Sequence, residues 1–123
     1  MSTSAHRFPV GEFECFVIQD KEQKLPVSFL LSDGPKDELE RVARQHNINP
    51  DSIDFSINIL VVKIGSHVIL VDTGQADESL PDKLKAIGVD AAAIDRIIVT
   101  HGHGDHVNGI VDSAGNFTYP NAR

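Results

Sequence analysis

A single cysteine, Cys15, among 123 residues excludes an internal disulfide and any cysteine-built zinc site. Phe13 and Val17 beside it suggest a buried strand position rather than a reactive thiol. No stretch approaches the ~18 apolar residues that a membrane-spanning helix needs. Met1–Phe8 also lacks the apolar run of a secretory signal, so a cytoplasmic protein is the expectation. Basic residues are few and scattered: eleven Lys and Arg against eighteen Asp and Glu leave a formal charge of −7. Binding a phosphate backbone takes clustered cations, so neither nucleic acid nor a membrane is expected as a partner. Internal repeats, low-complexity segments and a dividing linker are missing as well. What is left is the length and composition of one small soluble domain, residues 1–123.

Patterns of apolar residues give the elements. Gly11–Asp20 reads as a strand with Phe13, Cys15 and Val17 on one face. Val27–Leu31 is a short apolar run. Between Asp33 and Asn47 the period becomes helical, with Pro35, Asp37 and Glu38 suited to the first turn and Asn47 to the C-cap. Leu39, Val42, Ala43 and His46 form its stripe, where His46 is a packed or capping residue. Ile57–Asp72 is the clearest hairpin, turning at Gly65-Ser66. Its arms are apolar on both faces, which predicts a sheet covered on both sides. His67 beside the turn reads as a surface residue.

A short helix over Ser79–Ile87 ends at Gly88, and Asp90 caps a brief turn through Ala93. Arg96–Thr100 follows as a buried strand, and Val107 and Ile110 look like the start of another helix. Helix and strand alternate, so the class is mixed α/β.

The segment Thr100-His101-Gly102-His103-Gly104-Asp105-His106 places three of the six histidines and a carboxylate directly after that strand. In extended backbone, residues i and i+2 face the same way, so His101 and His103 can present two imidazole nitrogens to one metal ion. Gly102 and Gly104 invite a sharp turn that swings Asp105 and His106 to a second position nearby. Two metals with N and O ligands suit this pattern. A purification tag would sit at a terminus as uninterrupted histidine, and this cluster does not. Leu70-Val71-Asp72-Thr73-Gly74 places another acid at the end of a second apolar strand. Adjacent parallel strands would bring both loops to one rim, where sites on such sheets gather.

Together the His-x-His-x-Asp-His run and the preceding Asp-Thr-Gly turn resemble the metallo-β-lactamase superfamily in order and spacing, from about Ile57 to Arg123. The tail Asn116–Ala122 is similar to the segment after the motif in lactonase-like members. The resemblance implies an α/β fold, the N-terminal half of an αββα sandwich with a mixed sheet and flanking helices, whose C-terminal half is absent here. It implies two zinc ions (iron or manganese also suit such ligands): His101 and His103 on the first, Asp105 and His106 on the second. It further implies that Asp72 holds the motif by hydrogen bonds, and that a metal-activated water, oriented in part by Asp105, attacks a carbonyl or phosphoryl centre. A small lactone or ester leads as substrate. Two readings stay open at this point: a metal-dependent hydrolase, and an inactive half-domain that needs a partner or its other half. An open sheet edge would favour self-association.

Overall fold

The Gly65-Ser66 turn joins two neighbouring strands of the sheet, β3 (Ile53–Ile64) and β4 (His67–Val71). They pair antiparallel with Ile64 opposite His67, and Gly65 takes the positive φ of +56° that the tight turn requires. These relations belong to a computed structural model that describes residues 5–76 and 79–123; residues 1–4 of the polar N-terminus, and residues 77 and 78, lie outside it. The described chain forms one mixed five-stranded sheet in the order β1-β2-β3-β4-β5, with flanking helices. β1 is Ala5–Val10, β2 Phe13–Leu25 and β5 Arg96–Ile98. All neighbours whose registers are given pair antiparallel except β4 and β5, which run parallel with Leu70 beside Ile97.

The chain divides into two compact units, one comprising the chain up to Asp20 with Ile57–Arg123, the other Lys21–Ser56. In the second unit α1 is Val27–Leu30 and α2 is Lys36–Gln45, with Pro35 at the N-cap and Asp37 and Glu38 in the first turn. The C-cap is His46, and Asn47 lies one position beyond it at φ +58°. There the Asn47 amide donates to the Arg44 carbonyl and Ile48 to Ala43, so the last carbonyls are satisfied. Ala43 is buried, but Val42 of the expected stripe is 40% exposed.

The first unit holds the core. Ile18, Ile59, Val61, Leu70, Leu80, Leu84, Val89 and Ile94 are at most 2% exposed. Each such aliphatic side chain stabilises the fold by about 1.5–3 kcal/mol relative to exposure. Leu80 and Leu84 come from α3 (Ser79–Ala86), which ends before Gly88 (φ +78°). A single turn of 3₁₀-helix, Ala91–Ala93, follows, and the Asp90 side chain caps it by accepting from the Ala92 amide.

Three sequence expectations change. The opening segment is a hairpin: β1 precedes Gly11, and the deeply buried face of β2 carries Phe16, Ile18 and Asp20, while Phe13 is 41% exposed. Apolar residues occupy both parities of that run, so alternation alone did not choose the face. Cys15 is buried, as its neighbours suggested. Second, the sheet is well buried on one face only. The register sets Leu60, Val62, Ile69, Val71 and Ile98 on the other face, where the first four are half-buried and Ile98 is 52% exposed. The second cover that a two-faced apolar pattern calls for is not supplied by the described residues. Third, β5 stops at Ile98, and Val99, at 41% exposure, already belongs to the motif loop. None of the helices described is long and apolar enough to cross a membrane.

Candidate metal centre

The parallel pairing of β4 and β5 delivers two loops to one rim, Asp72–Gln75 from β4 and Val99–His103 from β5. The Asp72 amide continues the ladder by donating to the Ile98 carbonyl at 2.8 Å. Its backbone then turns to φ +64°, a left-handed value that Asp tolerates better than most residues. That turn aims the carboxylate at the neighbouring loop. Oδ1 accepts from the Thr100 amide at 2.8 Å, and Oδ2 accepts from the Thr100 hydroxyl at 2.8 Å and lies 2.6 Å from Nδ1 of His106. Burial by itself would raise the Asp72 pKa. Hydrogen bonds from the Thr100 amide, the His106 ring and the Thr100 hydroxyl outweigh it and hold the carboxyl below its ordinary value.

A helix begins earlier than expected, because Gly104–Val107 form α4 with His103 at the N-cap. Asp105 and His106 therefore sit on a helical turn rather than on the glycine bend, and a 3₁₀ turn, Asn108–Ile110, continues it. The start is fixed by the His103 carbonyl, which accepts from the His106 and Val107 amides. The other end of the motif is held by Thr73. Its amide and hydroxyl both donate to the His106 carbonyl, at 2.8 and 3.0 Å. Gly109 closes the contact: its amide donates to the Gly74 carbonyl at 3.1 Å, and a Cβ there would collide with the Thr73 carbonyl oxygen.

The donor directions fix the protons. The Thr100 hydroxyl gives its hydrogen to Asp72, so its oxygen accepts from Nδ1 of His101, 3.1 Å away. Nδ1 of His106 likewise donates to Asp72. In both rings Nε2 is then the unprotonated nitrogen that a metal requires, with Nδ1 held by the Asp72 carboxylate in His106 and by the Thr100 hydroxyl in His101. His101 and His103 are exposed, and Asp105 and His106 are half-buried, each with a quarter of its side chain accessible.

The four residues form two donor pairs. Nε2 of His101 lies 3.1 Å from Nδ1 of His103, and Nε2 of His106 lies 3.4 Å from Oδ2 of Asp105. Two ligands each ~2.0–2.1 Å from a tetrahedral ion stand about 3.3 Å apart, so each pair has the spacing of neighbours on one ion. The donor set therefore fits two ions, at two protein ligands apiece. Among the described residues no group of three or more His, Cys, Asp and Glu is arranged to hold an ion. The remaining histidines stand apart from the motif in their contacts: His67 pairs with Asp95 at 2.5 Å, His6 stacks on Phe8, and His46 caps α2.

One contributor escaped sequence reading. Asp20, 3% exposed at the end of an apolar run in β2, reaches the Asp-Thr-Gly turn: Oδ2 accepts from the Gln75 amide at 3.4 Å. It sits inside β2, which runs on to Leu25, so neither a strand end nor a glycine turn beside it marks it in the sequence as they mark Asp72.

Residues 52–123 match the family model for the metallo-beta-lactamase superfamily. Over 77 residues the chain is 38% identical to the atrochrysone carboxyl ACP thioesterase of Passalora fulva, covering 58% of this chain and 22% of that protein. A shorter match, 38% over 53 residues, links it to ribonuclease Z of Aeropyrum pernix, covering 43% of this chain and 16% of that one. AidC, a dizinc quorum-quenching lactonase, has a similar structure with a TM-score of 0.85 at 31% identity, over 98% of this chain and 43% of its own. AbOPH, a hydrolase in the beta lactamase superfamily, gives 0.83 at 26%, over 99% and 44%. The chain thus spans less than a quarter of these sequence relatives and less than half of these structural ones.

Proposed function

On the premise that the chain belongs to the metallo-beta-lactamase superfamily, we propose that it carries the metal-binding motif of a hydrolase that cleaves acyl substrates, a lactone or ester first among them. The observation that carries this reading is the pair of donor sets, His101 with His103 and Asp105 with His106, each spaced for one ion. Zinc suits them best as mixed imidazole and carboxylate sites, and iron or manganese would also be accepted. Bound there, such ions supply Lewis-acid polarisation of a carbonyl and a water acidic enough to act as nucleophile near neutral pH.

The chain's own residues do the positioning. Asp72 keeps His106 in one tautomer and ties the start of the motif loop to its end. Thr100 does the same for His101. Asp105 stands at the rim with a quarter of its side chain accessible, placed to accept a hydrogen bond from the attacking water as well as to ligate. Two donors per ion fall short of the three protein ligands usual in catalytic zinc sites, so each ion would need further ligands from outside the motif.

An acyl substrate is favoured over a phosphodiester on two grounds. The longer similarities are to a thioesterase and a lactonase, and the match to a ribonuclease covers 43% of the chain. A formal charge of −7 also repels a polyanion. The test is an assay of the native protein against lactone, ester, β-lactam and phosphodiester substrates with zinc or manganese, with His103→Ala as control. Lactone or ester turnover that vanishes in the variant is expected. Phosphodiester turnover without acyl turnover would overturn the substrate assignment.

A further inference from the structure

Asp20 lies under the Asp-Thr-Gly turn with its side chain fully buried, and Lys83 of α3 stands beside it as a cationic neighbour. Lys83 donates to the Asp20 backbone carbonyl and stands 3.5 Å from Oδ1, while Oδ2 faces the turn and accepts from the Gln75 amide. The carboxylate presses so closely on Gly74 that a Cβ there would collide with Oδ2, and Gly74 also needs its φ of +69°. From the turn, contacts run onward to the motif: Thr73 to the His106 carbonyl, and Gly74 to the Gly109 amide. The turn is therefore gripped at Gly74 and Gln75 by Asp20 and at Thr73 and Gly74 by the segment His106–Gly109.

Burying a charge is costly unless it is paired and hydrogen-bonded, and a structural core at this point would be served as well by an apolar side chain. A carboxylate suits another need, which is to hold backbone amides of a tight turn at one fixed height. We propose that Asp20, with Lys83 as its counter-ion, is a positioning residue of the metal centre, setting the height of the Asp72–Gln75 turn and through it that of Asp105 and His106 against His101 and His103. The inference rests on the metal-site reading above for its consequence, but its structural half stands without any metal. Lys83 thereby ties α3 to the site, although neither it nor Asp20 belongs to the ligand set.

The experiment has a metal-free arm and a zinc arm, run on the whole chain for wild type, Asp20→Asn, Lys83→Met and Lys83→Arg. The first arm reads amide hydrogen exchange. Asp20→Asn and Lys83→Met should lower protection of the Thr73 and Gly109 amides at least ~10-fold, while amides of the β3–β4 hairpin keep theirs. Lys83→Arg, which keeps the charge, should restore most of it. The zinc arm reads the dissociation constant by competition with a chelating dye. The same two variants should bind zinc ~10–100-fold more weakly, the range for residues that orient ligands from behind. An equal loss of protection in the turn and the hairpin would make Asp20 an ordinary core residue and overturn the proposal. Unchanged protection of Thr73 and Gly109 would overturn it equally. Failure of the wild type to bind zinc would refute the metal reading alone, because the exchange arm tests the positioning by itself.

Discussion

Nδ1 of His106 lies 2.6 Å from Oδ2 of Asp72, a contact made across 34 residues of sequence. It exists because β4 and β5 are parallel neighbours, so that the loops leaving them meet at one rim. The same carboxylate takes the amide and hydroxyl of Thr100, and so holds the residue just before the six-residue motif as well as its last histidine.

Removing that carboxylate should be expensive. Asp72 is 5% exposed, and Asp72→Ala leaves the Thr100 amide, the Thr100 hydroxyl and the His106 ring nitrogen without their acceptor. Unsatisfied buried donors cost about 1–3 kcal/mol each, so a loss of roughly 2–4 kcal/mol is expected by urea unfolding, the exposed rim softening the sum. Zinc affinity should fall ~10–100-fold. A loss under about 0.5 kcal/mol would show that the network is ornamental.

Glycine substitutions separate contact from conformation. Gly109 shows no positive φ, yet a Cβ there meets the Thr73 carbonyl, which is backbone and cannot swing away. Gly109→Ala should cost about 2–3 kcal/mol, as overpacking does. Gly102→Ala, with nothing within 4 Å of the new Cβ, should stay within about 0.5 kcal/mol of wild type. Equal effects in thermal unfolding would remove the argument that the two loops meet backbone to backbone.

Legibility in the sequence followed how local each signal was. The metal motif is contiguous, and Asp72 stands in a strand–acid–glycine pattern, so both were readable. Asp20 was not, because its partners lie 55 and 63 residues away and nothing beside it announces a turn. β1 was hidden by its composition: Arg7, Pro9 and mostly exposed positions look like a loop until β2 pairs with them. The exposed Ile98 and Val99 read as buried since apolar runs report what a strand can bury, not what covers it.

Acid should weaken the fold in part through Asp95. The His67 ring and the Val68 amide both hydrogen-bond its carboxylate, and although burial works the other way, its pKa is held below the ordinary value. A carboxyl depressed in the folded state adds stability above its unfolded pKa of about 3.9, and that stability is lost as pH falls through the folded value. Between about pH 5 and pH 2.5 the wild type should therefore lose more stability than Asp95→Asn. Parallel urea midpoints for the two proteins across that window would contradict this.

Tyr119 offers a contrast. Its hydroxyl is buried with no hydrogen-bond partner among the described residues, and burial together with the negative charge of Asp20 drives its pKa above the tyrosine range. Since the orphaned group contributes desolvation and no bond, Tyr119→Phe should leave stability unchanged or raise it by up to about 1 kcal/mol. A loss above ~1 kcal/mol in denaturant titration would mean the hydroxyl is satisfied.

Zinc titration of the chain carrying ¹⁵N-labelled histidine, followed by side-chain NMR, reads all six rings at once. The metal-centre proposal expects zinc to shift the Nε2 signals of His101 and His106 and the Nδ1 signal of His103, weakly and together, given only two donors per ion. His6, His46 and His67 should not respond. No response at the three motif rings up to about millimolar zinc, or a response led by the other three, would contradict it.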